Sequence, residues 1–300
     1  MPSNKDIDDL ADQIGKKLTV EEENIESLAH MIESGKAKKI LVLTGAGVSV
    51  AAGIPDFRTP GTGLYSNLKK YNLPYPEAVF DVGFYRRNPR PFVTLAHELW
   101  PGLQHSPTKT HSFLSLLSKR GLLLRNYSQN IDGLEFLAGI PADELVECHG
   151  HFRTASCIDC GKAADAEMVK DEIVKKANVP ICKYCKGNVK PDIVFFGEDL
   201  PDRFHKLLKK DVKEADLLIV MGTSLQVMPV SLIPEMVYCR RIVFNREKVM
   251  KKSRKQDLFI QGDCDTNVEK LCSLLGWEED LVSHHEKAKI NPKAERKSQE

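Results

Sequence analysis

The stretch Ile40 to Arg58, ILVLTGAGVSVAAGIPDFR, constrains the fold more than any other part of this chain. Ile40, Leu41, Val42 and Leu43 run without a polar break, the pattern of a strand buried on both faces of a parallel sheet. The run stops at Thr44-Gly45-Ala46-Gly47. A glycine pair there predicts a turn whose backbone N–H groups approach a phosphate with no Cβ in the way, followed by a helix whose start adds partial positive charge. Ser49, Ala51, Ala52 and Gly53 are small enough to let that helix lie close to the strand. Val50 stands where the third glycine of the dinucleotide fingerprint belongs, so a tight strand-to-helix turn explains the pair equally well. Asp56 and Arg58 flank Phe57 just beyond, which reads as a loop folding over a bound cofactor.

Further apolar runs follow, each ending in polar residues. Leu122 to Tyr127 predicts a second strand and delivers Ser128-Gln129-Asn130-Ile131-Asp132 at its C-terminal end, the edge where open α/β sheets gather ligands. Two amides and an acid can bond ribose hydroxyls and a carboxamide there, or simply cap the next helix. Leu145 to Gly150 predicts a third short strand ending in His149, whose side chain suits general-base work near neutral pH but is as readily structural. Leu217 to Met221 leads to Gly222-Thr223-Ser224, and Arg241 to Phe244 leads to Asn245-Arg246-Glu247. Helices are expected over 20–34, 88–100 and 110–119, the last begun by His111, which is expected to cap or pack.

Cys157-x-x-Cys160 and Cys182-x-x-Cys185 are separated by 21 residues. Two such knuckles predict a closed tetrahedral Zn²⁺ site with no position left for water, hence a structural metal. Gly161 and Gly187 follow the knuckles, as such turns often require. The other four of the eight cysteines are scattered, and with no secretion signal this usage favours metal over disulfides.

These motifs resemble the sirtuins, the NAD-dependent protein-lysine deacylases, over about residues 22–277: GAGVSVAAGIPDFR, YSQNID at 127–132, His149-Gly150, the double C-x-x-C and Gly222-Thr223-Ser224-Leu225. The resemblance is to the cytosolic and nuclear sirtuin 2 subgroup. It implies an α/β fold: a Rossmann-like parallel sheet over 20–150 and 191–277, an inserted zinc-ribbon module at 151–190 and a helical cofactor-loop segment at 59–100 containing Gly61-Thr62-Gly63-Leu64-Tyr65. A mobile segment at 1–19 and a charged tail at 278–300 flank it. It further implies NAD, consumed as co-substrate, at Gly45, Ala46, Gly47, Ser49, Asp56, Phe57, Arg58, Gln129, Asn130, Ile131, Asp132, Gly222, Thr223, Ser224, Asn245, Arg246, Glu247 and Cys264. The resemblance implies that His149 and Asn130 carry the catalysis. An acyl-lysine peptide adds as a strand against Val194, Phe195, Gly197 and Glu198 on one side and Gln226 and Val227 on the other, with Phe80 over the acyl group. Ordinary core packing would also explain Phe80. Family members that remove acidic acyl groups carry a Tyr-x-x-Arg pair; Leu95 and Glu98 align there, which implies neutral acyl groups. Protein mono-ADP-ribosyl transfer at the same site, or a non-catalytic zinc-ribbon protein that senses NAD, stand as alternatives.

The formal net charge is +1, which provides no electrostatic case for nucleic acid or membrane as partner. No run of 18 apolar residues exists, and the first residues carry acids and no apolar core of a signal peptide. A cytoplasmic protein, with the nucleus as a second compartment, is expected.

Overall fold

The structure, a computed structural model, describes residues 25–56, 73–101 and 105–290. Phe57, Arg58, the 61–65 loop and the 1–19 segment lie outside the described residues. Helix α1 covers residues 25–33 and buries Ile25, Leu28, Ala29 and Ile32, the face expected from their spacing. Strand β1 (Ile40–Thr44) follows. Then come α2 (Val82–Arg87), α3 (Arg90–Leu99), α4 (Lys109–Lys119), β2 (Leu123–Ser128), the short α5 (Leu134–Leu137) and β3 (Leu145–Glu147). Next are β4 (Gly150–Cys157), β5 (Ala163–Ala164), α6 (Ala166–Lys170) and β6 (Val189–Ile193). The chain closes with α7 (Asp202–Glu214), β7 (Leu217–Met221), α8 (Ile233–Met236), β8 (Arg240–Asn245), β9 (Leu258–Gln261), α9 (Cys264–Leu274) and α10 (Glu278–Ile290).

Six strands form one parallel sheet in the order β3-β2-β1-β7-β8-β9. The strand order reverses direction between β1 and β7, so a crevice opens at their C-terminal ends. Register makes that edge even: Thr44 pairs with both Ser128 and Met221. Alternate residues serve opposite faces. Ile40, Val42, Ile219, Met221, Ile242 and Phe244 pack with α1, α4 and α9, whereas Leu41, Leu43, Leu218, Val220 and Val243 pack with Phe204, Leu208 and Val212 of α7.

A second, antiparallel sheet in the order β5-β4-β6 carries the cysteine knuckles. Its hydrophobic core is not its own. Phe152, Val169, Ile173, Val189 and Phe195 form one cluster with Phe80, Tyr85, Phe92 and Trp100 from the segment before α4. Residues from 79–100 and from 152–195 therefore share one hydrophobic core. The Tyr85 hydroxyl, fully buried, closes the joint by donating to the Val189 carbonyl at 2.7 Å.

Two local expectations need correction. The turn after β1 does not open a helix: Ala46–Val48 and Val50–Ala52 are single 3₁₀ turns, ended by Gly53 at φ +85°. Such turns sum no useful dipole, so the helix-start charge expected at the glycines is missing. The helix expected over 88–100 is found as α3, and Asn88-Pro89 separates it from α2, which the sequence reading did not include. Residues 278–290 of the expected charged tail are helix α10, packed on α4 through Leu281 and His285, one turn apart. Arg120 stacks on Trp277 at 4.2 Å and pairs with Asp280 at the same junction. A charge count does not register two buried positions at helical spacing. His111 behaves as expected: its Nδ1 accepts the Thr108 N–H at 3.1 Å, closing a capping box on α4. No helix among the described residues is long and apolar enough to cross a membrane.

Candidate active site

The tips of β1, β2 and β7 meet over the crevice and are locked by backbone contact. Gly45 N–H donates to Met221 O at 3.1 Å and Gly47 N–H to Gly222 O at 2.7 Å. A Cβ on Gly47 would lie 2.7 Å from Gly222 Cα, and one on Gly45 would lie 2.6 Å from Thr223 Cβ. The glycines are thus required where two turns cross, a different reason from the close phosphate approach expected from the sequence. Two of the N–H groups assigned to a phosphate are already used in this crossing.

Above the crossing sits the β2 tip. The Gln129 amide donates to Thr223 Oγ1 at 2.9 Å and Thr44 O at 3.2 Å. The Asn130 amide donates to Gly45 O and Ser49 Oγ, both at 3.2 Å. Ser49 Oγ in turn donates to Asp132 Oδ2 at 2.7 Å, while Asp132 Oδ1 accepts the Leu134 N–H at 2.9 Å. Burial, with Glu135 nearby, pushes the Asp132 carboxyl up to about 6. Glu135 lies beneath, fully buried, accepting hydroxyl protons from Ser128 at 2.6 Å and Thr44 at 3.1 Å; burial raises its carboxyl too. His111, Asp132 and Glu135 place possible metal ligands within 4.8 Å of one another; both carboxylates accept the hydrogen bonds just described, whereas His111 Nε2 is buried without a partner among the described residues.

His149 follows β3 directly. Its Nδ1 lies 2.8 Å from the Gln129 carbonyl, which can only accept, so Nδ1 carries the proton. Nε2 is left with a free lone pair, buried and without a partner among the described residues. Burial lowers the imidazole's pKa, so Nε2 stays unprotonated at neutral pH. A neutral imidazole of fixed tautomer with an open nitrogen is a ready general base.

A cleft of about 610 Å³ gathers most of the predicted residues. Its β1 and β2 side is formed by Gly45, Ala46, Gly47, Asp56, Gln129, Asn130, Ile131 and His149. Opposite stand Gly222, Thr223, Ser224, Asn245, Arg246, Glu247 and Cys264. Phe80, Val194, Phe195, Gly197, Glu198 and Val227 line the end toward the small domain. Ser49 and Asp132 stand one layer behind, reaching the cleft only through Asn130. Gln226 is not on the wall; its amide folds back onto Ser224 O at 3.2 Å. Phe80 lines the cleft and is also part of the core, meeting Phe92 and Phe195 edge to face at 6.1 and 5.9 Å. Phe196 and Met228, both exposed, line the cleft and were not predicted. An apolar residue exposed beside a recognised motif was the available signal. Asn245 closes its own turn by donating to Glu247 O at 2.8 Å, and Arg246 pairs with Asp263 at 2.5 Å in solvent, a pair of little energetic weight. Leu95, aligned with the acidic-acyl position, is buried in the small-domain core and does not line the cleft; the Glu98 side chain lies outside the described residues.

The four cysteine sulfurs lie away from this cleft. Cys157 Sγ is 3.4 Å from Cys185 Sγ, and Cys160 Sγ is 3.7 Å from Cys182 Sγ. Zn–S bonds of about 2.3 Å in a tetrahedron require S···S of about 3.8 Å, so the set fits one structural zinc. Only the first knuckle ends on its glycine with positive φ; in the second Lys186 takes it, at φ +64°. Gly187 is needed instead for space, since a Cβ there would lie 2.2 Å from Asp159 Oδ2.

Residues 45–229 match the Sir2 family. The chain is 51% identical to the NAD-dependent protein deacetylase hst2 of Schizosaccharomyces pombe, over 86% of this chain and 78% of that protein. It is 51% identical to the NAD-dependent deacetylase sir2A of Dictyostelium discoideum, over 86% of this chain but 52% of that protein. With the NAD-dependent protein deacetylase sirtuin-2 of Danio rerio it shares 44% identity, over 87% of this chain and 74% of that protein.

Proposed function

The chain belongs to the Sir2 family, and from that premise we propose that it removes acetyl and longer neutral acyl groups from protein lysines at the expense of NAD. The observation that carries this reading is the open Nε2 of His149, held by the Gln129 carbonyl beside Asn130 in one cleft. NAD, when bound, supplies a leaving nicotinamide and an ADP-ribose that takes the acyl group. The residues present suit it: amides at Gln129 and Asn130, the buried Asp132 behind them, and polar turns at Thr223 and Asn245. Asn130 is the pivot, because its amide ties the β1 turn to Ser49 and so to Asp132. His149 Nε2 takes a proton from a hydroxyl brought beside it, and the Gln129 carbonyl stabilises the ring as it becomes charged.

Strand addition of the peptide draws support from backbone accounting. Val194 N–H is used by His149 O at 2.8 Å and Phe196 N–H by Phe80 O at 2.7 Å, whereas Gly197 N–H meets no acceptor among the described residues. A donor left free on a cleft wall is what an added strand needs. The apolar walls at Phe80, Ile131 and Phe195 favour neutral acyl chains. The test is nicotinamide release with and without acetyl-, long-chain acyl- and succinyl-lysine peptides. Release is expected to require peptide, with acetyl well above succinyl. Equal release without peptide would favour ADP-ribosyl transfer or hydrolysis, and succinyl above acetyl would overturn the acyl preference.

A pH dependence follows from Asp132. Its carboxyl titrates at about 6, so its charge is present above that pH and lost as pH falls through it. The kcat/KM for NAD is expected to fall below about pH 6 in the wild type. In Asp132→Asn that limb should change, on a lowered plateau, to the one set by protonation of His149 alone. A limb unchanged in the variant would mean that Asp132 is not the group responsible.

A further inference from the structure

Lys190 of β6 is 5% exposed, rare for a lysine, and its environment points in one direction. Its Nζ lies 2.6 Å from Ile193 O, 3.4 Å from Pro191 O, 3.0 Å from Glu198 Oε2 and 4.6 Å from the centre of the Phe195 ring. Glu198 Oε2 also accepts the Phe195 N–H at 2.7 Å. Every one of these partners belongs to residues 191–198. The ammonium therefore gathers the end of β6 and the turn at Glu198 onto itself, and the stretch Val194–Gly197 is bowed around it. That stretch touches the chemistry on three sides: Val194 N–H holds the His149 carbonyl, Phe196 N–H holds the Phe80 carbonyl, and Gly197 faces the cleft.

We infer that Lys190 and Glu198 are positioning residues for the acyl-lysine substrate: the ion pair of the buried lysine with the partly exposed Glu198 sets the course of residues 193–198, and with it the free Gly197 N–H and the Phe195 wall that meet peptide and acyl group. The inference rests on the deacylase reading above. Glu198 lines the cleft, but its carboxylate is engaged by groups of its own segment. Its carboxylate turns inward to the Phe195 N–H and Lys190, because a buried ammonium left without a counter-charge is strongly destabilising. Among the described residues the pair makes no hydrogen bond or ion pair with Gly45, Thr223 or Asn245 at the cofactor end of the cleft, so substrate and cofactor binding should separate on mutation.

The test uses Glu198→Gln, equal in shape without the charge, and Lys190→Arg, which keeps the charge in a larger, planar group. Steady-state kinetics with an acetyl-lysine peptide should give a peptide KM raised about tenfold or more, with the KM for NAD close to wild type. Hydrogen exchange should quicken at the amides of 193–198 and stay unchanged in β1, β7 and β8. A folded variant with unaltered peptide KM, or with peptide and NAD KM raised together, overturns the inference. Lys190→Arg retains the buried charge and keeps the test available should Glu198→Gln fail to fold. A wild-type protein that shows no peptide-dependent nicotinamide release instead overturns the deacylase reading, and the substrate role of the pair falls with it.

Discussion

Replacing His149 by alanine is expected to lower kcat for peptide-dependent turnover by about 10²–10⁴-fold, the usual contribution of a positioned general base. NAD affinity should stay close to wild type, because the ring's one hydrogen bond is to the Gln129 backbone, not to the β1 or β7 turns. The size of the loss follows from the tautomer. The Gln129 carbonyl, 2.8 Å from Nδ1, forces the proton onto that atom and leaves Nε2 as base. Burial removes the competing protonated form at neutral pH. His149→Asn separates the two functions, since its carboxamide can still donate to Gln129 O but offers no base. It should be as inactive as His149→Ala while matching wild type in thermal stability. Turnover within tenfold of wild type in either variant would move the proton-accepting role to another group.

Stripping zinc, or replacing Cys182 by serine, is expected to unfold the small domain and abolish turnover while the six-stranded sheet persists. Structural zinc in small modules contributes on the order of 10 kcal/mol to folding, more than a short three-stranded sheet can supply without it. Cys157 ends β4 and Cys182 is buried against the same cluster as Tyr85, Phe92 and Val189. Arg86 of α2 pairs with Asp159 inside the first knuckle at 3.0 Å, so loss of the knuckle reaches the 76–100 segment as well. Phe80 and Phe195 belong to that core and also form the acyl end of the cleft, hence the loss of turnover. The check is zinc content near one per chain, with hydrogen exchange rising across 150–193 and unchanged across 217–245. Zinc-free protein that retains activity and a protected β4–β6 pair would reject this account.

Much of this was legible before folding. Apolar runs at 40–43, 122–124 and 217–221 identify buried parallel strands because both faces of such a sheet are covered. The polar residues just after each strand then fall at one edge, since parallel strands all end on the same side. The double C-x-x-C identifies its metal because four thiolates on two tight turns leave few other solutions. Less visible was the core that 79–100 and 152–195 share. Phe80, Tyr85 and Phe92 join Phe195 across about a hundred residues of chain, a pairing that no local period records.

The sequence by itself determined five of the six strands of the parallel sheet and the zinc ligands, because these depend on local periodicity and ligand valence. Tertiary structure alone decided the rest. It explained Gly45 and Gly47 by the crossing of two turns, turned Glu198 inward to a buried lysine, and brought the Gln129 carbonyl to His149 Nδ1. Each of these is a meeting of groups distant in the chain, set by strand register and close packing. A hydrogen bond that chooses a tautomer needs placement to within a few tenths of an ångström, and only the assembled sheet supplies it.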